Sequence, residues 1–102
     1  MNFNLNYEGF EKNLNVKERH NGGIHYVFEF ENGYGASVVK GPFTYGGPED
    51  LWELAVLRYN DIMGKWVLDY STEITNDVEG YLFDREVLEL LARVKSLKKP
   101  ER

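Results

Sequence analysis

The chain has 102 residues, a formal net charge of −5, 42% apolar and 15% aromatic content, and no cysteine. That length holds one domain, residues 1–102, and the apolar share is enough to bury a core and to exclude a disordered body. The missing thiols exclude disulfide frameworks, thiolate zinc sites and cysteine nucleophiles. The acidic balance argues against direct nucleic-acid binding and against adsorption to anionic membranes. No apolar run reaches the length of a membrane span, and "MNFNLNYEGF" has neither the basic nor the apolar region of a signal peptide. A reducing cytoplasm is the expected setting.

In chain order, "NFNLNY" (2–7) alternates polar and apolar residues and reads as a short strand, while 8–20 is polar and open to either strand or helix. "HNGG" (20–23) marks a turn. "IHYVFEFE" (24–31) is a strand with Ile24, Tyr26, Phe28 and Phe30 on one face and His25, Glu29 and Glu31 on the other. The "NG" at 32–33 announces a hairpin. A two-residue turn would set Phe28 opposite Ser37. A three-residue loop with a bulge at Gly33 would instead bring Tyr34, Ala36 and Val38 beside the aromatic face, and it buries more apolar surface. After a strand ending near Lys40, "GPFTYGGPED" (41–50) is a loop.

Residues 46–64 carry conflicting marks. Pro48, Glu49, Asp50 and Gly64 are placed as for a helix, with local signals slightly in its favour. "LWELAVLRY" also alternates as a strand with Trp52, Leu54 and Val56 inward, and "WVLDY" (66–70) would pair with it, Trp66, Leu68 and Tyr70 on the matching face. The end is plainer: "FDREVLELLARVKSLKK" (83–99) puts Val87, Leu88, Leu90, Leu91, Val94 and Leu97 on one face, with Asp84 as expected N-cap and basic residues in the last turn. Residues 97–102 are expected to fray.

Taken together, "NGYGASVV" (32–39), "YGG" (45–47), "LWELAVL" (51–57), "ITNDVEGYL" (74–82) and "EVLELLARV" (86–94) resemble a family of small, mostly uncharacterised bacteriophage and prophage proteins. The resemblance covers about 32–94. Relatives of that kind carry a plain hairpin turn after the WELAVL-like segment, which implies a strand rather than a helix at 51–58. This chain departs from the pattern at "YNDIMGK" (59–65), where a one-turn helix could sit. The implied fold is α+β: an antiparallel sheet of four or five strands with a C-terminal helix packed on one face.

Few residues invite chemistry. His20 and His25 are the only histidines and could share a metal with Glu18 or Glu29, but an exposed turn and strand position is the plainer reading. No serine stands in a G-x-S-x-G context, and "GPFTYGG" lacks the order and the lysine of a phosphate loop. Asp69, Glu73, Asp77 and Glu79 read as solvated or capping groups, with Thr75 or Asn76 capping a helical turn at 77–80, rather than as an acid–base pair. No catalytic, metal or cofactor residue is assigned.

Binding is better supported. Tyr34, Phe43, Tyr45, Trp52 and Tyr81 form the candidate protein contact, because rings on a short glycine-bounded loop lose little entropy on docking. The resemblance implies a non-enzymatic phage accessory protein in the cytoplasm of a bacterial host. Its expected partner is a host or phage protein, as for an inhibitor of CRISPR effectors, restriction or another host enzyme. The alternatives are an assembly accessory acting as a homodimer and, behind it, a small ligand-binding domain.

Overall fold

The computed structural model describes residues 1–75 and 78–100. The fold is α+β: β1 (Leu14–His20), β2 (Gly23–Glu29), β3 (Tyr34–Lys40), β4 (Trp52–Asn60), β5 (Lys65–Leu68), β6 (Glu79–Leu82) and the helix α1 (Asp84–Lys95). The first five strands form an antiparallel meander in chain order. β4 is long enough to share one edge between two partners: its second half pairs with β5 and its first half with β6. The sheet curls, and α1 packs against β3, β4 and β6.

The aromatic strand determines the inner face. Tyr26 pairs with Val38 and Val38 with Leu54; Phe28 pairs with Ala36 and Ala36 with Val56. All six are buried, and Val87, Leu91 and Val94 of α1 close over them. The hairpin takes the three-residue form. Phe30 N–H donates to Tyr34 O (2.8 Å), and Gly33 sits at φ +84° in the bulge position. The two-residue register would have turned Ala36 and Val38 out of the core. β4 is a strand with Trp52, Leu54 and Val56 inward, as the resemblance implied. The turn after it is closed by Gly64 N–H onto Asn60 O (2.7 Å), a single α-turn in place of a helix.

Four local expectations are corrected. First, Trp66 and Leu68 face away from Trp52, because Leu68 pairs with Leu57 and Trp66 with Tyr59, which alternate to the outer face. Second, "NFNLNY" is not a strand. It is an extended arm across the inner face whose backbone is held by side chains: Asn2 N–H donates to Asp50 (2.7 Å), Asn6 N–H to Asp84 (2.8 Å), and Tyr26 Oη donates to Phe3 O (2.8 Å). The extra N-terminal strand lies later, at 14–20, on the sheet edge.

Third, Asp84 is the first helical residue and Phe83 the N-cap, with Glu86 accepting from Phe83 N–H (3.0 Å). Asp84 is drawn off capping duty by the core, where its other oxygen accepts from Trp52 Nε1 (2.8 Å). Fourth, α1 stops at Lys95. Asn32 in the β2–β3 turn donates Nδ2 to the carbonyls of Val94 (2.9 Å), Lys95 (3.1 Å) and Leu97 (2.9 Å), so a side chain distant in sequence caps the helix. Pro100 then lies beside Gly33, where an added Cβ would meet its ring at 3.4 Å.

Among the described residues Lys40 is the one buried lysine or arginine, and its ammonium is fully engaged. It donates to Asn2 O (2.8 Å) and Asp50 Oδ1 (3.0 Å) and lies 4.3 Å from the centre of the Trp52 ring. A buried charge is tolerable only with such partners. The Asn2 N–H bond and then the Lys40 contact hold the Asp50 carboxyl below its ordinary value of 3.8.

Asp84→Ala is expected to cost about 2 kcal/mol, since it strands the buried Trp52 N–H and frees the N-terminal arm. Asp84→Asn should cost less, because its amide oxygen can still accept. Urea unfolding of the three proteins decides this, and equal stability for all of them would refute the role given to Asp84.

Candidate functional site: an aromatic corner at the end of the sheet

The stretch 41–47 folds on itself before β4 begins. Thr44 Oγ1 accepts from Gly41 N–H (3.0 Å) and donates to Gly41 O (3.1 Å), while Gly47 N–H donates to Thr44 O (3.1 Å). The carboxylate of Glu53, on β4, accepts from Tyr45 N–H (2.9 Å). From the other side β6 closes in: Tyr81 N–H donates to Tyr45 O (3.1 Å). The approach is tight enough to require glycine. A Cβ on Gly46 would lie 2.7 Å from Tyr81 Cα, and one on Gly80 would lie 2.5 Å from Tyr45 Cβ. "YGG" and "GYL" are therefore the two sides of one backbone-on-backbone contact.

This contact carries three exposed rings. Phe43 is 87% exposed, Tyr45 62% and Tyr81 57%. Tyr81 is held at φ +57°, a left-handed conformation that costs a bulky residue about 1–2 kcal/mol. Strain of this kind persists only where the surroundings over-determine it, and it clusters at functional positions.

Beside the corner lies the outer face of the sheet, opposite to the one on which α1 packs. A cavity of about 440 Å³ has His25, Ser37 and Ala55 as its floor and Phe43 and Tyr70 among its walls. His25 Nε2 and Ser37 Oγ share a hydrogen bond of 2.7 Å, and Glu18 Oε1 lies 3.9 Å from His25 Nδ1. Burial first, and then the neighbouring His20, lower the His25 pKa below 6.5, against an opposing pull from Glu18.

The order acid, histidine, serine is that of a nucleophilic triad. β3 is paired along both edges, so the backbone donors of Ser37 and its strand neighbours are spent in the ladders. The arrangement offers a polar, half-buried floor to a bound group.

Of the five predicted contact residues, the structure brings Tyr45 and Tyr81 together, and Phe43 stands two positions before Tyr45 in the same loop. Trp52 is a correction: it is fully buried, edge-on to Tyr26 (5.6 Å between ring centres), and its indole cannot reach a partner. Tyr34 is half-buried at the far end of β3, near Ile74 and Leu97. Sequence reading missed the exposed Leu68 and Tyr70 beside the corner, and Ile62, 97% exposed at the β4–β5 tip next to Met63. An Ile-Met pair inside an otherwise polar turn was the available signal for the tip.

Of the four carboxylates between 69 and 79, the structure describes Asp69, Glu73 and Glu79. Asp69 is buried and accepts from Ser71 N–H (2.8 Å). Asp77, like the proposed Asn76 cap, lies outside the described residues. Glu79 stands on β6, where the helical turn at 77–80 was expected. Among the described residues there is no cluster of three groups that could hold a metal, and no helix long and apolar enough to cross a membrane.

Gly46→Ala should cost about 1–3 kcal/mol through its φ of +92° and the clash with β6, and should speed hydrogen exchange at Tyr81 N–H. Protected exchange at Tyr81 in this variant would count against the contact. The histidine gives a pH prediction. With its folded pKa below 6.5, the unfolded chain takes up a proton in a range where folded His25 does not. Its contribution is therefore whole above 6.5 and is lost as pH falls through the lower folded value. The urea midpoint should drop between about pH 7.5 and about pH 5, and His25→Gln should flatten that drop. An unchanged slope in the variant would remove His25 as the cause.

No protein-family model, curated protein or solved structure matches the chain, and the geometry of this corner is what a functional reading has to build on.

Proposed function

We propose that the protein acts by binding another protein through the corner formed by Phe43, Tyr45 and Tyr81, as a phage-encoded accessory protein that obstructs a host defence system or other host enzyme. The observation that carries this reading is three exposed rings on two segments joined by Tyr81 N–H onto Tyr45 O, with the Tyr45 backbone also fixed by Glu53. Rings so placed bury area on docking without first having to be ordered. The resemblance to small phage and prophage proteins supports the phage setting, and the net charge of −5 suits a basic groove on the partner.

Self-association is less well supported. At one edge of the sheet β1 exposes Lys17, Glu18 and Arg19, and at the other β5 exposes Lys65; charges on edge strands oppose pairing with a second copy.

The test is affinity capture from a bacterial host lysate with wild type and with Phe43→Ala/Tyr45→Ala. Because both rings are exposed, the double variant should stay folded, with stability within about 1 kcal/mol of wild type. Wild type should retain one host protein stoichiometrically, and the variant should lose at least about tenfold of it. Equal retention by the two proteins would move the contact elsewhere, and self-association with no capture would favour an assembly role.

A further inference from the structure

We infer that the outer face of the sheet receives an arginine-bearing segment of the partner, seated beside the aromatic corner. This rests on the protein-binding reading just given and adds the chemistry of what is bound.

Strand parity sorts the charges. The inner-face residues Tyr26, Val38 and Leu54 set the register, and Lys17, Arg19, Lys40, Arg58 and Lys65 all share their side of the sheet. Three of these cations lie over inner-face rings: Lys17 over Tyr26, Arg19 over Phe3 and Lys40 over Trp52. Glu18, Glu29 and Glu53 fall on the opposite face, as the partners or alternates of His25, Val27 and Val39. Every lysine and arginine of β1–β5 is thus withdrawn from the outer face, and every glutamate of these strands is turned towards it. An acidic total charge does not require this separation. A one-residue slip of β1 or of β4 alone would mix the signs on both faces.

The shape and chemistry of the cavity select the cation. Phe43 and Tyr70 line the cavity with His25, Ser37, Glu53 and Lys40, whose ammonium is engaged by Asn2 O and Asp50. Glu53 spends Oε1 on Tyr45 N–H, which fixes the carboxylate and leaves Oε2 without a hydrogen bond among the described residues. A guanidinium is planar, stacks on rings and carries a fork of donors for a fixed carboxylate, whereas an ammonium is a hydrated point charge. The lowered pKa of His25 keeps it neutral at pH 7, so it does not repel an incoming cation. Its hydrogen bond to Ser37 keeps the floor polar.

The experiment follows amide chemical shifts of the full-length labelled protein as a short arginine-rich peptide is added, with the same peptide carrying citrulline for arginine as the control. Citrulline keeps the shape and removes the charge. The arginine peptide should shift His25, Ser37, Glu53 and Phe43, and the citrulline peptide should not. Kd should rise about tenfold for Phe43→Ala/Glu53→Gln, whose amide oxygen can still accept from Tyr45 N–H, while Lys98→Gln, in the tail beyond α1, should leave it unchanged.

The inference is overturned if both peptides shift the same residues equally, if the shifts map to the helix side, or if sedimentation shows a dimer of this chain buried on that face. Its failure is separable from that of the protein-binding reading. Host capture lost in the Phe43/Tyr45 variant, with no arginine-specific shifts, would leave the corner standing and remove the cation. Arginine-specific shifts with no host protein captured would do the reverse.

Discussion

The indole of Trp52 is the interaction on which the rest of the molecule depends. A tryptophan can be wholly buried only if its N–H finds an acceptor, and here the acceptor is Asp84 at the start of α1. The other oxygen of Asp84 accepts from Asn6, so one carboxylate joins the N-terminal arm, β4 and the helix. Above the ring sits the Lys40 ammonium, which in turn holds Asn2 and Asp50. A polar lattice of this kind contributes position more than net stability, because each buried charge gives up hydration to join it. It fixes where the arm crosses and where the helix starts, and it places the loop at 41–50 that leads from Lys40 to Trp52.

From that fixed end the aromatic corner follows. The chain leaves β3 at Lys40, must return to begin β4 at Trp52, and has β6 pairing beside Trp52 through Leu82. The loop and β6 are consequently forced against each other, and the glycines at 46 and 80 are what permit it, while Gly47 lets the loop close on Gly41 and Thr44. Rings carried by those two segments have no room inward and point to solvent. The inner face, closed by the helix and the arm, takes the basic side chains over its rings. The outer face is left open with the acids.

Much of the scaffold was legible because it is written in periodicity. The alternation in 24–30 gave the inner face, and the three-residue hairpin followed from asking which register buries more. The apolar stripe of α1 gave the helix. What failed was local in appearance and tertiary in cause. Asp84 looks like an N-cap in sequence, but the indole claims its carboxylate. The helix looks as if it should run to Lys99, but Asn32, far back in the chain, takes its last carbonyls. "NFNLNY" alternates like a strand, yet its backbone groups are satisfied by Asp50, Tyr26 and Asp84 instead of by a neighbouring ladder.

The same division holds for the candidate site. By itself the sequence determined that a glycine-bounded loop would carry Phe43 and Tyr45, since Gly and Pro at both ends forbid a continuing strand. It also determined the acidic total and the absence of thiol chemistry. Only the tertiary structure decided that Trp52 is core and that Tyr81 joins the loop from a strand much later in the chain. It alone decided that Glu18, Glu29 and Glu53 share a face with no strand lysine or arginine. These outcomes depend on register and on which segments meet, and both are settled when long-range pairing buries one face of the sheet rather than the other.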